Sequence, residues 1–301
     1  MKLNILGCYS ATPRTFTNPT AQVLEINNHI FLIDCGEGTQ VQLRKNKIKF
    51  SRIKHIFISH LHGDHFFGLV GLISTFRLLG RETDLHIYAP KGLKDVITLQ
   101  MKLASSWTNY NLVFHELTSK LSELIFEDKK VEVHTIPLDH RVYTNGFLFK
   151  EKEGERKLDM NGVLNANIDV SYYRKLKQGF DVQNENGKLI KNKTVTLPPN
   201  PSKSYAFCSD TAYNEAIIPI IKHVDVLYHE STFLDQHEKL AAPTKHSTAK
   251  QAANIAKQAQ VGQLILGHYS TRYDDLNLFK EEAQTIFQNV QLADDGKVFE
   301  F

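Results

Sequence analysis

An α/β fold is predicted by two observations on the sequence. Short β-rich runs alternate with segments of helical spacing through both halves of the chain, and in each half the strands end on His or Asp. "KLNILG", "AQVLEI" and "NHIFLID" read as strands, with Asn27 and Asn28 as a hairpin turn between the second and third. "DCGEGTQVQLRK" reads as a turn entering a helix and "IKHIFIS" as a short apolar strand, and "FFGLVGLISTFRLLG" has helical spacing and closes on Gly80. "LHIYAP" and "GLKDVITLQMKLAS" continue the alternation, and a strand at "VEVHTIPL" ends at "DHR". From residue 204 the strands "SYAFCSD", "DVLYHES", "QLILGH", "VQLA" and "KVFEF" alternate with helices at "NEAIIPIIKH", "STAKQAANIAKQAQ" and "LNLFKEEAQTIFQN".

The 150–203 segment interrupts this order. It is rich in Asn, Lys and Gly, poor in apolar periodicity, and closes on "LPPNP", so it reads as an inserted, flexible loop or arm on a single domain spanning 1–301. It holds eleven Lys or Arg against seven Asp or Glu, while the whole chain carries only +3, so the rest is close to neutral. A basic surplus confined to one segment points to a local polyanion contact.

The 301 residues are 42% hydrophobic, ordinary for a globular chain. The N-terminus offers no signal-peptide core, and no stretch reaches the roughly 18 apolar residues of a membrane helix, so cytoplasmic residence is the expectation. Cys8, Cys35 and Cys208 are odd in number and widely spaced, so they read as reduced core thiols and not as a disulfide framework or a metal site. Fourteen histidines direct attention to imidazole ligation or acid–base work.

"FISHLHGDHFFG" packs His60, His62, Asp64 and His65 into six positions at the end of an apolar run. Unpaired polar groups are costly there, so the cluster calls for a metal. In an extended stretch His60 and His62 point the same way and can grip one ion; Gly63 lets the chain turn, so that Asp64 and His65 face a second position. Imidazole and carboxylate suit zinc, with manganese or another divalent ion as competitors. Taken singly, a His after a strand is ordinarily a surface residue. His140 in "PLDHR", Asp210 in "CSDT" and His268 in "LGHYS" nevertheless all follow apolar runs, where a cleft at the strand ends would lie. The count then closes, with His60, His62 and His140 on one ion, Asp64, His65 and His268 on the other, and Asp210 between them.

"DCGEGTQVQL", "HIFISHLHGDHFFGL", "FCSDT", "HEST" and "GHYSTRY", in that order from residue 34 to 273, resemble the ribonuclease Z family of the metallo-β-lactamase superfamily. The resemblance implies a metallo-β-lactamase-type αββα four-layer sandwich with two zinc ions per subunit. It also implies a metal-dependent endoribonuclease that removes the 3′ trailer from precursor tRNA after the discriminator nucleotide, leaving a tRNA 3′-hydroxyl and a trailer 5′-phosphate. By position, Asp64 would also act as general base, and His246 in "TKHSTA", held by Glu230 in "YHEST", would protonate the departing oxygen. The bland alternative for His246 is a helix-entry residue, with Ser247 or Thr248 as the cap. Arg272 would meet substrate phosphate, and Arg174, Lys175 and Lys177 in the arm would neutralise phosphates, with Tyr172, Tyr173 and Phe180 as packing or stacking partners. A homodimer, in which one subunit's arm holds RNA cut by the other, is implied as well.

Two stretches depart from the family pattern. The first loop, "ATPRTFTNPT", has Pro13 and Arg14 but no Lys and Arg pair, and the arm reads "NIDVSYYRKLKQGFDV" where a Gly-Pro-rich motif is usual. Two competing readings are a small-molecule phosphodiesterase or related hydrolase on the same scaffold, and a non-catalytic, metal-stabilised RNA-binding protein.

Overall fold

The structure, a computed structural model, describes residues 1–12 and 14–301; Pro13 lies outside the described residues. It divides into two compact units, residues 1–150 with 203–301, and residues 151–202. The first half supplies strands β1 (Lys2–Gly7), β2 (Ala21–Ile26), β3 (His29–Ile33), β4 (Ile53–Phe57), β5 (Leu85–Pro90) and β6 (Leu112–Leu117). Asn27 and Asn28, both at positive φ, turn β2 into β3 as the sequence predicts. β3 to β6 are mutually parallel, so the ends of all four lie on one edge. Helices α1 (Thr39–Lys45), α2 (Gly63–Phe66), α3 (Leu69–Leu78) and α4 (Leu93–Leu103) connect them.

The second sheet begins with β7 (Leu124–Glu127), β8 (Val131–Pro137) and β9 (Asn145–Glu151). The inserted unit then contributes β10 (Lys157–Leu158), α5 (Met160–Asn165), α6 (Tyr173–Lys177), β11 (Val182–Gln183), β12 (Leu189–Ile190) and β13 (Thr196–Leu197). The sheet resumes with β14 (Ser204–Cys208), β15 (Val226–Glu230), β16 (Gln263–Gly267) and β17 (Val290–Leu292), while β18 (Val298–Glu300) returns to pair with β1. Each large sheet has seven strands, in the orders β18-β1-β2-β3-β4-β5-β6 and β17-β16-β15-β14-β9-β8-β7. Helices α7 (Glu238–Thr244), α8 (Ala249–Gln258) and α9 (Asn277–Gln284) follow the second half.

Alternation along the strands explains the layering. Leu32, Ile56 and Ile87 face the helix residues Leu43, Leu72 and Ile97 in one buried cluster. Phe31, Phe57 and Tyr88 alternate with them and join Phe147, Phe149 and Phe207 of the second sheet. With both faces covered, β3 reads as the unbroken apolar run Ile30–Ile33, whereas β4 interrupts its apolar residues with Lys54 and His55. Phe57 lies 5.4 Å from Phe147 and 5.3 Å from Phe149, ring centre to ring centre, so aromatic packing fastens one sheet to the other. Ala252, Ala253 and Ala256 of α8 pack into the same cluster, and the αββα sandwich is complete.

Two elements differ from the sequence expectation. "NEAIIPIIKH" forms only the 3₁₀ turn Glu215–Ile217, because Pro219 removes an amide donor in the middle of the expected helix. The 151–202 segment, poor in apolar periodicity, still builds its own core from Val163, Ile168, Leu176, Val182 and Val195. Its strands are only two residues long, too short for a periodic signal.

Away from the strand ends, imidazoles line up across the first sheet. His55 stacks on His86 at 5.0 Å and meets Phe126 of the second sheet at 4.7 Å, and His86 Nδ1 lies 3.1 Å from His115 Nε2. Burial, followed by the neighbouring His86, His29, His115 and Lys54, pushes His55 down to about 3. Unfolded, the same group takes a proton near 6.5, so the unfolded chain binds more protons between those values and stability falls as pH drops from 6.5 toward 3. His55→Phe keeps the aromatic contact and removes the titration. Thermal unfolding between pH 7 and 4 should therefore show a shallower loss of melting temperature in His55→Phe than in the parent; parallel curves would refute this.

Candidate metal centre

The residues singled out at the strand ends come together on one edge of the sandwich. His60 follows β4, His140 follows β8, Asp210 follows β14, Glu230 closes β15 and His268 follows β16. His60 Nε2 and His62 Nδ1 are 3.0 Å apart, and His140 Nε2 is 3.2 Å from that same His62 nitrogen. Asp64, His65 and His268 form a second group, and Asp210 lies within reach of both: 3.8 Å from His60 Nε2, 3.6 Å from His65 Nε2 and 3.2 Å from His268 Nε2. Asp210, His246 and His268 also converge closely enough to hold an ion.

The chain turns at Gly63, where extended backbone at His62 gives way to the one-turn helix α2, and a Cβ there would lie 2.3 Å from the Phe67 ring, so glycine also leaves room for that side chain. His62, extended at φ −81° and ψ 146°, places its imidazole beside that of His60.

The remaining nitrogens are held from behind. His60 Nδ1 lies 3.0 Å from Ser59 Oγ, His140 Nδ1 2.9 Å from the Lys245 carbonyl, His65 Nδ1 2.6 Å from Asp34 Oδ2, and His268 Nδ1 2.9 Å from Thr232 Oγ1. Each partner can accept a proton's hydrogen bond, which leaves the Nε2 lone pair facing the cleft. His65 Nε2 and His268 Nε2 are buried and have no hydrogen-bond partner, yet they face the Asp64 oxygen at 3.4 and 3.5 Å. Lone pairs aimed at one another across such gaps fit divalent cations.

Electrostatics divides the two groups. Burial lowers His60, His62 and His140 below their ordinary value, which keeps them neutral with lone pairs available. Burial also opposes a charge on His65, but the carboxylates of Asp64, Asp210 and Asp34 outweigh it and hold that imidazole well above its usual range. Against the same opposition, Asp210 is held well below the carboxylate range by His268 and His65, and Asp64 is lowered by His65 and by the nearby His268.

Beside this cluster, Glu230 is fully buried and accepts from the Thr211 amide at 2.9 Å, the Thr232 amide at 3.1 Å and the Thr232 hydroxyl at 2.6 Å. His246 Nδ1 donates at 2.8 Å to Glu230 Oε1, the oxygen that also accepts from the Thr211 amide. Burial works against the imidazolium, yet Glu230 and Asp210 raise His246 to about 9. Helix entry is handled separately, since Thr248 forms a capping box with Gln251.

Three residues escaped the sequence reading. Asp34, at φ 57°, accepts from His65 and from the amide and hydroxyl of Ser59. Its signal was present, since it follows an apolar strand in the same way as the other donors. Thr232 links Glu230 to His268. Arg141, adjacent to His140, lines a cleft of about 440 Å³ with Asp64, Asp210 and His246. Arg272, exposed as Arg141 is, lies outside that lining, and its amide donates to Ser270 Oγ at 3.3 Å. Arg174, Lys175 and Lys177 are exposed on α6, Lys175 Nζ lies 5.6 Å from the Tyr172 ring centre, and Tyr172 and Tyr173 pack on the small core of their own unit.

Two facing seven-stranded sheets with a His/Asp cleft at their strand ends define a metallo-β-lactamase-fold protein. The structure matches the metallo-β-lactamase fold protein YhfI of Bacillus subtilis at TM-score 0.69 and 17% identity, covering 99% of this chain and 98% of that one. Human tRNase Z, short form, superposes at TM-score 0.73 with 28% identity, over 100% and 99% of the two chains. Ribonuclease Z of Cytophaga hutchinsonii is 48% identical over 99% of this chain and 95% of its own, and that of Bacteroides thetaiotaomicron 46% identical over 97% and 92%. The chain belongs to the ribonuclease Z family, and its residues 1–154 also fall within the family described as Anti-Pycsar protein Apyc1. That second match ends before Asp210, Glu230, His246 and His268.

Asp34→Asn keeps the shape but removes the charge behind His65. Bound metal should be lost to a chelator roughly 10–100-fold more readily in this variant, by analogy with other outer partners of metal-binding histidines. Competition titration with a zinc indicator checks it, and an unchanged affinity would show that Asp34 is only a structural brace.

Proposed function

We propose that this chain is a zinc-dependent endoribonuclease that removes the 3′ trailer of precursor tRNA, cutting after the discriminator nucleotide to leave a tRNA 3′-hydroxyl and a trailer 5′-phosphate. The observation that carries the proposal is the His246–Glu230 pair at 2.8 Å beside seven metal-capable side chains, in a chain similar along its length to proteins named ribonuclease Z. We assign His60, His62 and His140 to one zinc ion, Asp64, His65 and His268 to a second, and Asp210 to both. Two such ions, when bound, would supply Lewis-acid relief of charge on the phosphate and make a bound water more acidic.

The chain's own groups do the rest. Asp64 orients the attacking water and accepts its proton. His246, protonated at neutral pH against Glu230, delivers a proton to the departing 3′-oxygen; with Nδ1 occupied, Nε2 is its free donor. Arg141, which has no ion pair or hydrogen bond among the described residues, takes the phosphate nearest the cut. Arg272, Arg174, Lys175 and Lys177 serve as outer phosphate contacts, the 150–203 arm as the grip on RNA, and a homodimer as the working assembly. No helix among the described residues is long and apolar enough to cross a membrane, and three buried free thiols suit a reducing cytoplasm.

A labelled precursor tRNA with a 3′ trailer, mapped at nucleotide resolution, should be cut once after the discriminator by the zinc-loaded parent. Asp64→Ala should abolish the cut, and His246→Ala should slow it by about 10²–10⁴ at saturating substrate. Failure of a folded, metal-loaded parent to cut would favour the small-molecule hydrolase. Arg141→Ala should raise KM for this RNA by about tenfold, roughly 1.4 kcal/mol, and more than Arg272→Ala does; the reverse order would move the phosphate contact to Arg272.

A further inference from the structure

The arm is not the only concentration of positive charge. Residues 44–54, "RKNKIKFSRIK", carry six Lys or Arg and no Asp or Glu. All six side chains, Arg44, Lys45, Lys47, Lys49, Arg52 and Lys54, are exposed. None forms an ion pair among the described residues; Arg52 donates to the Asn28 carbonyl at 2.9 Å, and the Arg44 guanidinium lies 4.8 Å over the Phe50 ring.

These cations surround concave surface. Arg44, Lys47 and Lys49 rim a cavity of about 640 Å³ floored by Ile48, Phe50 and Phe76, with Glu82 as the one carboxylate on its wall. Arg52 and Lys54 border a neighbouring recess that includes Asp128, itself engaged with His29. The segment joins α1 to the beginning of β4, whereas His60 follows the end of that strand. The basic face therefore sits at the opposite edge of the sheet from the metal-capable cleft, on the order of 20 Å away at the rise of an extended strand. So much unneutralised charge self-repels in the free protein and is relieved by a polyanion. Fixed spacing on a folded body, rather than a flexible tail, suits a regularly charged backbone.

We propose that residues 44–54 form a second RNA-docking surface that binds phosphates of the substrate remote from the cut. This rests on the reading of precursor tRNA as substrate. The phosphate contacts would act on affinity and encounter, leaving the chemistry at His60–His268 untouched.

The test is the variant Lys45→Gln/Lys47→Gln/Lys49→Gln, which spares Arg44 and its packing on Phe50. KM for precursor tRNA should rise roughly tenfold or more, and the slope of log affinity against log salt should become shallower by about two. kcat at saturating RNA and turnover of bis(p-nitrophenyl) phosphate should be unchanged. An unchanged KM and salt slope in a folded, active variant would overturn the proposal, as would loss of binding to phosphatidylserine vesicles with RNA binding intact. If the parent fails to cut the precursor, the processing assignment fails by itself. Binding of the uncut RNA, compared between parent and variant at several salt concentrations, then still decides the docking surface, and equal slopes overturn it.

Discussion

The buried Asp34 carboxylate is the constraint on which the cleft depends. It sits immediately after β3 and accepts three hydrogen bonds, from His65 Nδ1, the Ser59 amide and the Ser59 hydroxyl. Burial raises its pKa, and the contact with His65 opposes that shift, so the charge survives inside the protein only because its partners surround it. One side chain thus holds the start and the end of the metal-capable loop against a neighbouring strand. Backbone contacts reinforce the hold: the Cys35 amide donates to the His65 carbonyl at 2.7 Å, and the Gly68 amide to the Cys35 carbonyl at 2.9 Å. Gly68 allows that approach, because a Cβ there would lie 2.1 Å from the Gly36 carbonyl oxygen.

From this anchor the cleft divides into two electrostatic regimes. His60, His62 and His140 are kept neutral by burial, so their nitrogens are ready for a cation. Around Asp64, Asp210 and His65 the charges are instead mutually compensated, and a cation held there would displace the His65 proton. Glu230 carries the same logic outward. Thr211 and Thr232 fix it, Thr232 also accepts from His268, and His246 is left protonated at the rim. His246, Glu230, Thr232 and His268 therefore form one hydrogen-bonded chain, and His268 Nε2 at its end faces the Asp64 carboxylate at 3.5 Å.

Much of this was legible in the sequence. The hairpin at Asn27 and Asn28, the helix closing at Gly80 and the helix after His246 were visible because turn chemistry and capping are local. So was the cluster His60, His62, Asp64 and His65, since six adjacent positions need no fold to bring them together. His140, Asp210 and His268 could be nominated because each follows an apolar strand. The helix expected at Asn214–His223 failed on Pro219, and the core within 151–202 was invisible because its two-residue strands are shorter than any period that could reveal them.

The sequence by itself determined which residue types would meet at the strand ends, because alternation, turns and short-range donor spacing are written along the chain. Only the tertiary structure decided which of them face one another. That Asp34 stands behind His65, and that Arg141 rather than Arg272 lines the cleft, follow from strand order and loop geometry. The physical reason is that hydrogen bonds and ion pairs act over a few ångströms in space, and residues 16 to 31 positions apart in the chain come that close only after two sheets have packed.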